Sequence, residues 1–101
     1  MTDQLPRLSR SLPGTPPAAP VRLVHLGLGN FHRAHQAWYT AHAPDADQWG
    51  YASFTGTSPR VSDQLRPQDG LYTLILRSSE GDTFETVGAV AEVHEIGRAH
   101  V

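Results

Sequence analysis

The chain has 101 residues, a formal net charge of −2 and a sequence pI near 6.3, a balance that gives no electrostatic basis for binding nucleic acid or an anionic membrane. It contains no cysteine, which excludes a disulfide framework and thiolate metal sites, and it contains no lysine. No apolar run approaches the length of a membrane-spanning helix and the N-terminal segment lacks the apolar centre of a secretory signal, so the expectation is one small cytoplasmic domain.

Residues 1–19 carry Pro6, Pro13, Pro16 and Pro17 among Ser, Thr, Arg and Ala, a composition that buries too little apolar surface to offset its ordering entropy. They are expected to form a disordered tail. The domain is expected over residues 20–95. It opens with Val21, Leu23, Val24 and Leu26, an apolar run that predicts a strand buried on both faces of a mostly parallel sheet. Gly27-Leu28-Gly29 breaks the run. Phe31, Ala34, Ala37, Trp38 and Ala41 then recur at spacings of three and four, which predicts one helix capped by Asn30 and stopped by Pro44. Phe31, Trp38 and Tyr39 are expected to pack rather than to stack on a ligand.

Strand, Gly-x-Gly and helix in that order make the first turn of a dinucleotide-binding unit. There the glycines let the backbone approach a pyrophosphate, and the helix N-terminal N–H groups receive its charge. The position that normally holds a third glycine holds His32. On this pattern alone, a cofactor turn and a plain tight turn in a structural α/β domain both stay open.

Ala43 to Gly50 reads as loop and Tyr51 to Thr55 as a second parallel strand, completing a βαβ crossover. The end of that second strand commonly carries an acid for the ribose 2'-hydroxyl, yet Thr55 to Arg60 contains no carboxylate. Hydroxyls and Arg60 leave room for a 2'-phosphate, so NAD and NADP both remain open. Ser58-Pro59 predicts a helix start, and that helix should end before Pro67. Asp69-Gly70 reads as a turn. Leu71 to Arg77 and Thr83 to Val90, joined by Ser78 to Asp82, predict a β-hairpin in which Gly88 marks a bulge.

His25, His32, His35 and His42 raise the question of a metal, but no carboxylate cluster joins them, and the expectation is that none is bound. At the C-terminus, one reverse translation of Ile96 to Val101, ATC GGA AGA GCA CAC GTC, matches the start of a sequencing-library adapter. Residues 96–101 therefore read as a non-native, adapter-derived end.

Two blocks go further. Gly27-x-Gly29-x-Phe31-His32-Arg33-Ala34-His35-Gln36 resembles the N-terminal cofactor-binding segment of the mannitol dehydrogenase family, the polyol-specific long-chain dehydrogenases. Gln68-Asp69-Gly70-Leu71-Tyr72-Thr73-Leu74 resembles a later block of the same family, and the resemblance runs from about Pro20 to His94. It implies an α/β fold, a truncated Rossmann-like nucleotide-binding domain made of a βαβ start plus a β-hairpin. It also implies an NAD(P)-dependent oxidoreductase that passes hydride, without a metal, between nicotinamide and a polyol such as mannitol, or the matching ketose or keto-acid.

Gly27, Gly29, Asn30, Phe31, His32 and Arg33 would then form the cofactor-binding turn. The family's proton-transferring lysine, with its asparagine and histidine partners, lies in a helical C-terminal domain, so no catalytic residue is assigned here. The chain is expected to be an N-terminal fragment, inactive by itself. The alternative is a small non-catalytic nucleotide- or phosphate-binding module, using the same glycine turn.

Overall fold

A computed structural model describes residues 7–56 and 60–95. Among them, β1 (Val21–Leu26), β2 (Gly50–Thr55) and β5 (Val90–Glu95) form a parallel sheet in the order β1-β2-β5. β3 (Tyr72–Ser78) and β4 (Gly81–Val87) make a separate antiparallel ribbon. Between β1 and β2 lie α1 (Asn30–Ala34) and α2 (Gln36–Ala41), and after β2 comes α3 (Arg60–Leu65). The arrangement is α/β and Rossmann-like, with a partial sheet. The expected helix start at Ser58-Pro59 and the adapter-like end at 96–101 lie outside the described residues.

β2 is the central strand of the three, and its small residues Ala52, Ser53 and Thr55, which are divided between the two faces, are buried. Leu28, Ala37, Leu65, Tyr72, Val87, Ala89, Val90 and Val93 close over it as one apolar cluster. The ribbon is tied on through Glu85, which accepts a hydrogen bond from Trp38 Nε1 at 3.0 Å and pairs with His42. On the other side, the Tyr72 hydroxyl donates to the Arg33 carbonyl at 2.6 Å.

Four expectations change. β1 is not buried on both faces: Val24 is 69% and Leu26 66% exposed, because β1 is the edge strand and the described elements cover it only in part. The helix after the glycines is two helices, broken at His35 (φ −120°, ψ −81°), whose ring Nδ1 and backbone N–H both bond the Phe31 carbonyl at 2.9 Å. Gly29, not Asn30, precedes the first helical residue. Phe31 and Tyr39 consequently point outward, 68% and 66% exposed, while Ala37 is the fully buried residue of the pair of helices.

The hairpin's second strand stops at Val87, and Val90–Glu95 is a third parallel strand paired with β2. Gly88 is therefore a junction and not a bulge. A Cβ there would lie 2.5 Å from Pro16 Cγ, so glycine is required because the leader crosses it.

Residues 7–19 of the leader are held to the domain through Arg10. Arg10 donates to the carbonyls of Pro16 (2.9 Å), Gly88 (3.1 Å) and Val90 (2.9 Å), and its backbone N–H donates to Asp69 Oδ2 at 3.0 Å. Burial lowers the Arg10 pKa, and Asp69 opposes that shift. One guanidinium thus satisfies three carbonyls.

Candidate dinucleotide-binding site

The glycine turn sits where β1 ends beside β2. Gly27 has φ +98°, and its N–H and that of Leu28 both donate to the Phe54 carbonyl, at 2.8 and 3.0 Å. This ties the turn to the end of β2, and the buried Leu28 side chain holds it from beneath. Gly29 is extended (φ −143°, ψ −168°) and leads directly into α1. A Cβ on Gly27 would meet nothing within 4 Å, and neither would one on Gly56 just beyond β2. Among the described residues, neither of these neighbouring strand ends has a side chain or backbone atom standing in that position. Crevices at the carboxyl ends of parallel strands are where α/β sheets take ligands.

At the front of this space, the N–H groups of Asn30, Phe31 and His32 open α1 and have no partner within the helix. Arg33 folds back over the turn. Its Nε donates to the Gly29 carbonyl at 3.2 Å and its Nη2 to Asn30 Oδ1 at 2.5 Å, while the guanidinium lies 5.9 Å from the Tyr72 ring centre. The cation that the sequence places near a phosphate is thus also a staple for the turn. Burial pushes the Tyr72 phenol pKa up, so it remains a neutral donor to the Arg33 carbonyl.

His32 is turned the other way. Its side chain is buried, stacked on His25 with ring centres 3.6 Å apart and ring planes nearly parallel at 5°, with the Tyr51 ring edge-on at 4.8 Å. Its Nδ1 lies 3.1 Å from Gln36 Oε1 and its Nε2 3.4 Å from Ser53 Oγ. Burial holds its pKa below the usual 6.5; Gln36 opposes that shift, while His25 and Arg33 reinforce it. The His32 side chain is thus directed toward β1, β2 and α2.

Sequence reasoning did not find this group of His25, Gln36, Tyr51 and Ser53 behind the turn. The signal was available: His25 and Ser53 are polar residues within the apolar runs of β1 and β2, and they are register partners.

At the end of β2 the Thr55 hydroxyl is spent on the His94 carbonyl at 3.4 Å. Among the described residues, no cluster of three or more His, Cys, Asp or Glu is arranged to hold a metal, and no helix is long and apolar enough to cross a membrane.

Residues 21–100 match the Rossmann domain of mannitol dehydrogenase. The chain belongs to the mannitol dehydrogenase family. D-mannonate oxidoreductase of Escherichia coli (strain K12) is 38% identical over 77 residues, covering 70% of this chain and 16% of that protein. D-arabinitol 4-dehydrogenase of Ralstonia nicotianae (strain ATCC BAA-1114 / GMI1000) is 38% identical over 87 residues, covering 74% and 17%. Mannitol 2-dehydrogenase of Pyrenophora tritici-repentis (strain Pt-1C-BFP) is 32% identical over 75 residues, covering 69% and 13%. The chain therefore spans 13% to 17% of these relatives' length. The mannitol dehydrogenase match takes in the glycine turn and the histidine stack behind it, and leaves out Arg10 and the rest of the leader.

Proposed function

We propose that this chain supplies the ADP half of a nicotinamide-dinucleotide site in an oxidoreductase acting on a polyol such as mannitol, or on the matching ketose or sugar acid. The observation that carries the reading is Gly27: a positive φ at the end of β1, with open space where a side chain would stand, in front of the first N–H groups of α1. Gly27 and Gly29 allow a pyrophosphate to approach the backbone. The N–H groups of Asn30, Phe31 and His32 would donate to it, and the Arg33 charge beside the turn would offset its charge. Bound nicotinamide supplies the hydride acceptor or donor.

The substrate class rests on relatives whose names specify D-mannonate, D-arabinitol and mannitol. The family resemblance places the proton-transferring base on a lysine. This sequence contains none, so the chain binds a cofactor without turning over substrate. NAD is the first reading. NADP is the second, favoured by Thr55 to Arg60, where arginine stands and no carboxylate does. The protein is read as cytoplasmic, with no nucleic-acid or membrane partner and no metal in its chemistry.

The test is calorimetric titration of the 101-residue chain with NAD, NADP and ADP. Saturable binding of one equivalent, with NAD and ADP of similar affinity, supports an ADP-half site. Tighter binding of NADP selects the second reading, and absence of saturable binding by all three contradicts the proposal.

A further inference from the structure

We propose that His32 is a positioning residue for the glycine turn and acts only as an uncharged imidazole, its ring tying the first turn of α1 to β1 and β2 so that the backbone N–H groups keep their place. The proposal rests on the nucleotide reading only for what the turn receives, not for how the turn is held.

Five groups face the ring. From β1 comes His25, flat against it at 3.6 Å; from β2 come Tyr51, edge-on, and Ser53 at 3.4 Å; from α2 comes Gln36 at 3.1 Å; and on its own helix Arg33 adds a positive charge. With Nδ1–H donating to the Gln36 carbonyl oxygen, Nε2 carries the lone pair that accepts from the Ser53 hydroxyl. That tautomer satisfies both nitrogens. No carboxylate is among the groups acting on the ring. A proton added at Nε2 makes a cation out of contact with water, against a second imidazole and near a guanidinium, with nothing to balance it. The ring must then leave its slot. Its own backbone, with Asn30 and Phe31 just before it, forms the N-terminal turn of α1, so the crevice-facing N–H groups move with it. The direction of the His32 pKa, below the ordinary histidine value, agrees with this geometry.

The experiment is a pH titration of the 101-residue chain from about 8 to 5, spanning the histidine range, following the imidazole nitrogens and the backbone amides by NMR. A parallel series of NAD titrations is run at each pH. His32 is expected to hold the neutral Nδ1–H tautomer to below pH 6.5, and the Gly27, Gly29 and Asn30 amides are expected to shift with the same midpoint. Below it NAD affinity should fall about tenfold per pH unit, as linkage to one proton requires. His32→Phe keeps a ring in the stack without a titrating nitrogen, and should abolish the acid response of those amides. His32→Gln serves the same purpose if the phenyl variant does not fold.

Titration of His32 at or above 6.5, a different midpoint for the glycine amides, or an acid response that persists in the variants overturns the proposal. A shared midpoint without NAD binding at any pH upholds the positioning role and removes the nucleotide reading instead.

Discussion

Replacing each glycine of the turn by alanine separates backbone strain from ligand approach. At Gly27 an added Cβ meets nothing within 4 Å, so no clash arises, but φ is +98°, a conformation that costs an L-residue about 1–2 kcal/mol. At Gly29 the backbone is already extended at φ −143° and the nearest atom, the Gly27 carbonyl oxygen, is 3.7 Å away, an ordinary contact. The stability effect there should stay within roughly 0.5 kcal/mol. For a domain of this size each kcal/mol moves the melting temperature by about 4–8 °C. Gly27→Ala should therefore lower Tm by roughly 4–16 °C and Gly29→Ala by no more than about 4 °C. On the proposed reading both methyl groups would stand in the path of a pyrophosphate, and loss of one charge-assisted hydrogen bond, about 1.5–3 kcal/mol, should weaken NAD binding roughly 10- to 100-fold. Thermal unfolding and calorimetry read the two effects separately. Unchanged NAD affinity in both variants would refute the assigned role of the turn, and a Gly29→Ala variant less stable than Gly27→Ala would refute its geometry.

Gly70→Ala should be more damaging than either, because φ is +79° and the new Cβ would lie 2.2 Å from the Val90 carbonyl oxygen, a backbone atom. Strain and overpacking together cost about 2–5 kcal/mol, read as a lower urea midpoint; an unchanged midpoint contradicts the contact. Arg10→Met keeps the apolar stem and removes the bonds to Pro16, Gly88 and Val90, at a cost of about 1–3 kcal/mol. It should leave NAD affinity untouched, since Arg10 lies at the opposite end of the parallel strands from the turn, and a loss of affinity would show otherwise. His32 sets the acid limit. Its folded pKa lies below the unfolded 6.5, so its contribution to stability is full above that pH and is lost as pH falls through the window beneath it. Urea midpoints at about pH 7.5 and 5.5, on either side of the ordinary histidine pKa, should differ in that direction, and a higher midpoint in acid would reverse the sign.

What the sequence revealed was local. Gly27 and Asp69-Gly70 were legible as turns because their φ values of +98°, +58° and +79° are ones that glycine and aspartate tolerate. The strand Val90–Glu95 was not, because Val90 and Val93 are three apart and show no alternation; it is a strand through its pairing with β2, a partner far away in sequence. The break at His35 hides inside a good helical pattern, since it lies in the backbone dihedrals of one residue, φ −120° and ψ −81°, which side-chain spacing does not report. Val24 and Leu26 are apolar as a covered strand requires, yet their position on an edge strand decides their exposure. Of the candidate site, the sequence showed the placement of some residues and not of others. Arg33 closes on Gly29 and Asn30 beside Gly27, as near neighbours in the motif can, whereas the His32 side chain turns inward to Ser53, a contact that spacing along the chain does not reveal.

The central claim is that this turn receives the pyrophosphate of a dinucleotide, and backbone amide shifts during NAD titration test it most directly. Saturable shifts at Gly27, Gly29, Asn30, Phe31, His32 and Arg33, extending to Gly56, are the predicted result. Shifts confined to the opposite end of the sheet, in the cavity between Pro16, Pro17, Ala46 and Glu85, or no saturable shifts at all, would contradict it.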